Sequence, residues 1–281
     1  MIRKPVVSGV FYSKCSDDLK EDIERCFKHD LGPGDLPQGN SSKEDIIGLV
    51  TPHAGYMYSG HVAAHSYYEL ISNGMPETVI ILSPNHTGLG SPISIMGDGV
   101  WSTPLGDVEV DSDFTMELLK RTDVLVDDAS AHLKEHSIEV HLPFLQYFSN
   151  DFKIVPIVMW MQDLESSKEL SEAIYDTIVS LNKSVVIIAS TDLTHYMPGD
   201  IAKFQDDLVI DAVLNLDEEA MISRIKEYNI TMCGYGPVAT MILVSKKLGV
   251  ETSKLLKYNN SGDISGDYDS VVAYASIVLK K

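Results

Sequence analysis

Three short apolar, β-branched runs in this chain stop abruptly and lead within a few residues to a histidine. Residues 46–50 run into Thr51-Pro52-His53-Ala54-Gly55-Tyr56. Residues 79–82 run into Ser83-Pro84-Asn85-His86-Thr87-Gly88, and 185–189 into Ser190-Thr191-Asp192-Leu193-Thr194-His195-Tyr196. Imidazole is the side chain that both ligates metals and exchanges protons near neutrality. Three of them in such parallel settings point to a metal site or an acid/base site. For His53 and His86 the bland alternative is a structural histidine satisfied by loop carbonyls.

Other residue types could join them. Asp192 and His195 lie three apart past one run, a spacing that suits an orienter and a base, added metal ligands, or a simple Asx turn. Cys233 precedes Gly234-Tyr235-Gly236-Pro237 at the expected start of a helix, where a thiol pKa falls and a thiolate forms readily; the alternative is a small buried hydrophobe, the usual fate of a lone cysteine. His136-Ser137-Ile138-Glu139-Val140-His141 is not the zinc-protease motif, because its histidines are five apart and do not share a helical face. His136, Glu139 and His141 therefore read as supporting or substrate-contacting groups. His61, His65 and Glu69 form an i, i+4 stripe that reads as a solvated helix face. The acidic stretch 263–269 lacks the glycine and closing glutamate of a calcium loop. No phosphate-binding glycine loop occurs.

The elements that must position these groups follow from hydrophobic periodicity. The histidine-bearing runs read as strands buried on both faces, and ligands bind beyond the carboxyl ends of such strands in open α/β sheets. Further strands are expected at 93–96, 108–110, 154–159 and 270–279. Helices are expected near 16–29, 59–72, 111–121, 139–148, 166–181, 201–214, 217–228 and 237–247. Strands alternating with helices give a three-layer α/β/α class: a mixed sheet with helices on both faces. Residues 32–45 read as a loop within one domain covering 1–281, since a single helix before it is too little for a separate core. Cys15, Cys26 and Cys233 are too few for a disulfide framework, and the first two read as small packing residues. A net charge of −19 argues against a nucleic-acid partner. No run approaches the roughly 20 apolar residues of a membrane span, so a cytoplasmic protein without membrane contact is expected.

Taken together, several strings resemble the MEMO family, whose fold is similar to the class III extradiol dioxygenases of the LigB type. They are the segment from Arg3 to Tyr12, Pro52-His53-Ala54-Gly55-Tyr56 with Tyr58-Ser59-Gly60, Ser83-Pro84-Asn85-His86, Glu135 through Pro143, Ser190 through His195, and Cys233-Gly234. The resemblance implies a metal pocket with His53, His86 and Cys233 as ligands and His195 as acid/base group beside Asp192. A cysteine then stands where the dioxygenases have a carboxylate. The softer thiolate shifts preference toward copper, zinc or thiolate-tolerant iron. The implied cofactor is one iron or copper ion, with zinc as the alternative. The implied activity is dioxygenase-like oxidoreduction of an unidentified small molecule. A non-catalytic signalling protein using the same pocket for a peptide, and a zinc-type hydrolase, are the competing readings. The resemblance further implies AMMECR-type and radical-SAM protein partners.

Overall fold

The computed structural model describes residues 1–39 and 45–281, so the loop expected at 32–45 lies partly outside the described residues. In chain order the elements are β1 (Ile2–Arg3), α1 (Ser16–Lys28), β2 (Ile46–Thr51), α2 (His61–Asn73), β3 (Thr78–Pro84), β4 (Ile93–Ile95), β5 (Val100–Thr103), β6 (Gly106–Glu109), α3 (Ser112–Leu119) and β7 (Val126–Asp127). They continue as α4 (Leu142–Phe148), β8 (Lys153–Met159), α5 (Leu164–Leu181), β9 (Val185–Ser190), β10 (His195–Met197), α6 (Gly199–Leu214), α7 (Glu218–Tyr228), α8 (Tyr235–Lys247), β11 (Thr252–Asn260), α9 (Gly262–Ser265) and β12 (Val271–Lys280).

The main sheet has the order β10-β12-β2-β9-β3-β8-β4-β7, with β11 paired to the outer part of β12. Strands β2, β9, β3 and β8 are parallel, while β12 and β4 flank them antiparallel. This is the mixed α/β architecture expected. The apolar runs are continuous rather than alternating because both faces are covered. In β3, Ile80 and Leu82 enter one core and Val79 and Ile81 the other. The same alternation divides Ile187 and Ala189 from Val186 and Ile188 in β9. Helices α3, α5, α6, α7 and α8 supply the first core. Helices α1, α2 and α4, with the small sheet β1-β5-β6, supply the second. Among the described residues no helix is long and apolar enough to cross a membrane.

Helix boundaries follow their caps. Asp111, Asp163 and Asp217 accept hydrogen bonds from Phe114, Ser166 and Ala220 N–H at the starts of α3, α5 and α7. Asn182 and Asn229 end α5 and α7 in the left-handed conformation that asparagine tolerates. Asp111 does more than cap. It accepts from Thr78 Oγ1 at 2.5 Å and from Lys183 Nζ at 2.6 Å, tying α3 to β3 and the α5–β9 turn. Burial alone would raise its pKa, but Lys183, Thr78 and the Phe114 N–H together hold it below the ordinary value. A depressed folded-state pKa stabilises above the unfolded value, near 3.9, and that contribution is lost as pH falls through the folded one. Asp111→Asn should lower stability by about 1–3 kcal/mol near neutrality. It should also flatten the acid limb of a urea-unfolding series between roughly pH 5 and 2; a parallel acid limb in both proteins would count against this.

One strand was not expected, and several expectations need correction. Strand β11, with Lys254, Lys257, Asn259 and Asn260, has no apolar run. It is an edge strand held by backbone pairing with β12, and Lys-rich edges of this kind discourage unwanted pairing. The His61, His65 and Glu69 stripe is not a solvated face: His61 is 2 % exposed and its ring stacks on His29 at 5.0 Å, because α1 packs against α2 there. His65 Nε2 bonds the Leu31 carbonyl at 3.0 Å. Cys15 is exposed at the start of α1 rather than packed, whereas Cys26 is buried.

Candidate metal centre

The parallel centre of the sheet decides where the chemistry collects. Strand β9 lies between β2 and β3, with Thr51 opposite Ser190 and Leu82 opposite Ala189. Residues just beyond the carboxyl ends of three adjacent strands are therefore His53, His86 and Asp192. In open α/β sheets the ligand-binding crevice lies at such a point, outside the carboxyl ends of the strands. Residues 135–141 cross the same edge on their way to α4 and bring in His136. Each of His53, His86 and His136 has one nitrogen within 4.8 Å of those of the other two. Among the described residues no other group of three potential ligands comes this close. His53 is buried, His86 is exposed and His136 is partly open to solvent.

Hydrogen bonds fix the rings. His86 Nδ1 donates to Glu135 Oε1 at 2.9 Å, which leaves Nε2 as its open nitrogen. A carboxylate behind a histidine in this way orients the ring and raises its basicity as a ligand. Glu135 is fully buried and also accepts the backbone N–H groups of His86, His136 and Ser137. Burial opposes its charge, yet the bonds from His86 and the neighbouring imidazoles pull its pKa down to about 2. The His86 loop is set by Asn85, whose Oδ1 accepts from Thr87 and Gly88 N–H at 3.0 Å. The His136 ring stacks on His86 at 4.8 Å and meets Phe11 edge-on at 5.0 Å. His53 is kept neutral by burial first, and then by the repulsion of the surrounding imidazoles.

Cys233 arrives from a different direction. Its Sγ lies 3.3 Å from His53 Nε2 and accepts the Asp192 N–H at 3.2 Å. Gly234 makes this approach feasible: a Cβ there would strike the Ser190 carbonyl and come within 2.7 Å of Thr191 Cβ. The expectation of a ready thiolate is overturned. Burial raises the Cys233 pKa, and the neighbouring Asp192 raises it further, outweighing the start of α8. The group is a thiol until a cation displaces its proton.

His195 and Asp192 stand apart in role. His195 Nδ1 donates to the Thr231 carbonyl at 2.9 Å, and its backbone N–H to Thr231 Oγ1 at 2.7 Å. Thr231, not Asp192, therefore orients the ring, and Nε2 is the nitrogen left free for proton exchange. Asp192 is turned to His53: Oδ1 accepts the His53 N–H at 2.9 Å, and Oδ2 is 4.0 Å from Nε2. Burial raises the Asp192 pKa to about 6, against the pull of the His53 N–H and of His195.

Two expected supporting residues face elsewhere. Glu139 is turned to the amino-terminal arm, where it pairs with Arg3 and accepts from Tyr12 OH at 2.6 Å and from Val6 and Val7 N–H. His141 is buried behind the site, with Nε2 2.7 Å from Ser190 Oγ. Glu135, Ser190 and Thr231 are residues that sequence reasoning gave no role. Adjacency to His136 was the available signal for Glu135, and nothing local marks the other two. A cavity of about 730 Å³ is lined by Tyr12, Arg25, His29 and Met57, among others, and none of the three clustered imidazoles lines it. Phe11 lines it while its ring touches His136.

The chemistry of the donor set fits a metal ion. Neutral imidazoles and a thiol suit a borderline-to-soft transition metal, and the partly open side leaves room for a further ligand.

Comparison with known proteins agrees with this outline. A family model described as "Memo-like protein" matches residues 3–278. A "MEMO1 family protein" of Methanopyrus kandleri is 51 % identical over 282 residues, covering 100 % of both chains. Another from Methanothermobacter thermautotrophicus is 49 % identical, covering 99 % of this chain and 100 % of its own. One from Sulfolobus acidocaldarius is 49 % identical over 99 % of each. Similarity of this extent, running through every segment that builds the crevice, leaves one assignment: the chain belongs to the MEMO family.

Proposed function

We propose that the protein binds a single iron or copper ion in this crevice and uses it for dioxygenase-like oxidoreduction of a small molecule. The observation that carries the reading is the convergence of His53, His86 and His136 with the Cys233 thiol beside them. His53, His86 and Cys233 form the expected ligand set, and the stacked His136 is the further imidazole in reach. A bound ion would supply Lewis acidity and one-electron chemistry. The remaining roles belong to this chain. Glu135 holds the His86 ring, and Asp192 provides charge beside His53. His195, anchored by Thr231, accepts or returns a proton through Nε2.

The test is metal content, by mass spectrometry, of untagged wild type, His53→Ala, His86→Ala and Cys233→Ser. Wild type should carry near one equivalent of iron or copper and the variants much less, since each ligand is needed for affinity. Equal content in all four defeats the proposal, and stoichiometric zinc in its place defeats the redox part. Because Cys233 must lose a proton on binding, wild-type affinity should rise with pH more steeply than that of Cys233→Ser.

His195 separates a catalyst from a store. Its replacement by alanine should leave metal content intact and lower oxygen uptake by about 10²–10⁴-fold in an anaerobically Fe(II)-loaded sample given catechols or cell metabolites. Loss of metal on that substitution would make it a ligand instead.

A further inference from the structure

Behind His53 lies a line of buried polar groups that the proposed chemistry does not use. Ser190 Oγ is 2.7 Å from His53 Nδ1, 2.7 Å from His141 Nε2 and 2.8 Å from the Ser137 carbonyl oxygen. His141 Nδ1 is in turn 2.6 Å from Tyr67 OH. Ser190 and Tyr67 are fully buried, and His141 is 1 % exposed.

Counting protons resolves every one of these contacts. A carbonyl oxygen only accepts, so the single Ser190 hydroxyl proton is committed to Ser137. Ser190 then has two lone pairs, and each must meet a donor. His53 Nδ1 and His141 Nε2 are those donors. His141 is neutral, its pKa lowered by burial to about 3, so its Nδ1 is bare and accepts from Tyr67 OH. Tyr67 stays protonated because burial raises its pKa. With Nδ1 carrying the only proton of a neutral His53, Nε2 is a bare lone pair, and it is Nε2 that faces Cys233 and Asp192. The opposite ordering would put a proton on Nε2, between the ring and any ion.

We infer that Ser190, its hydroxyl proton committed to the Ser137 carbonyl, locks the tautomer of His53 and presents its Nε2 lone pair to the crevice, while His141 and Tyr67 occupy the other Ser190 lone pair and close the line. These are positioning residues, acting through His53. The line does not carry protons to solvent: Tyr67 ends it in the core, its ring stacked on Phe144 at 4.7 Å. Its function is static. The inference draws on the metal reading only for its second readout.

The first readout is long-range ¹⁵N–¹H NMR of the histidine rings in metal-free, full-length protein. Wild type should show His53 protonated on Nδ1 and His141 on Nε2. Ser190→Ala removes one oxygen and should let His53 populate both tautomers, with the His86 signals unmoved as the check on folding. Tyr67→Phe should shift the tautomer of His141 while leaving His53 on Nδ1, a pattern that loose packing would not give. The second readout is Co(II) affinity by chelator competition, which should fall about 10–100-fold in Ser190→Ala and little in Tyr67→Phe. His53 protonated on Nε2 in wild type would overturn the inference. So would a Ser190→Ala protein whose His53 tautomer or Co(II) affinity matched wild type. If wild type binds no Co(II), the metal reading fails, and the NMR result alone decides the lock.

Discussion

Glu139→Ala should lower unfolding stability by about 3–5 kcal/mol, as expected for breaking a buried ion pair by removing one partner. Arg3 and Glu139 have no exposed side-chain surface. Arg3 also donates to the Glu135 and His132 carbonyls and sits over the Trp101 ring at 4.4 Å. Removing Glu139 leaves this guanidinium without its anion and deprives Tyr12 OH and the Val6 and Val7 N–H groups of their acceptor. The arm that carries Phe11 over His136 should then detach. Urea unfolding measures the stability, and limited proteolysis within residues 5–14 measures the detachment. Replacing both charges, as Arg3→Met with Glu139→Leu, should recover part of the stability but not the arm, whose backbone still lacks acceptors. A Glu139→Ala protein within about 1 kcal/mol of wild type would mean that water replaces the carboxylate at little cost.

Glu135→Ala should act on both stability and the site. The carboxylate gathers three backbone N–H groups, the His86 ring and Ser137 Oγ at 2.8 Å. Stranding that many buried donors should cost on the order of 3 kcal/mol or more. The larger diagnostic effect is on His86, which loses the partner that fixes its tautomer and direction. Metal affinity should fall about 10–100-fold, measured by chelator competition at a temperature where circular dichroism shows the variant folded. Glu135→Gln keeps one acceptor oxygen and should lie between the two. Affinity equal to wild type in both variants would show that Glu135 shapes the loop without tuning the histidine.

The division between what was legible and what was not has a physical basis. The strands around His53, His86 and Asp192 were readable because burial on both faces demands unbroken apolar runs ending in turn residues. The ends of α5 and α7 were readable within a few residues because capping chemistry is local. Strand β11 was not, because edge pairing uses backbone groups that every residue has. Ser190 and Thr231 were equally silent, since a serine or threonine gains its role only from the ring that a distant segment places against it. For Cys233 the local rule was read correctly but outweighed, since burial beside Asp192 acts more strongly on the thiol than the helix end. The resemblance to a known family supplied the expected ligands His53, His86 and Cys233, and the fold adds His136 to the residues that could hold an ion with His53 and His86.

Strand β9 lies between β2 and β3 although it is made about one hundred residues after β3. During synthesis, a nascent chain that ends before β9 has β2 and β3 without the strand that separates and joins them. Adjacent strands sit about 4.8 Å apart, so β2 and β3 must leave a slot two spacings wide or pair wrongly. The crevice therefore has no early form on the ribosome. His53 and His86 are brought to their final separation by the same event that delivers Asp192 and Ser190, and Cys233 follows some forty residues later. If the proposed ion binds here, ordering the histidines late in this way would tie its capture to a finished fold and would keep a half-made chain from closing around it with an incomplete set of ligands.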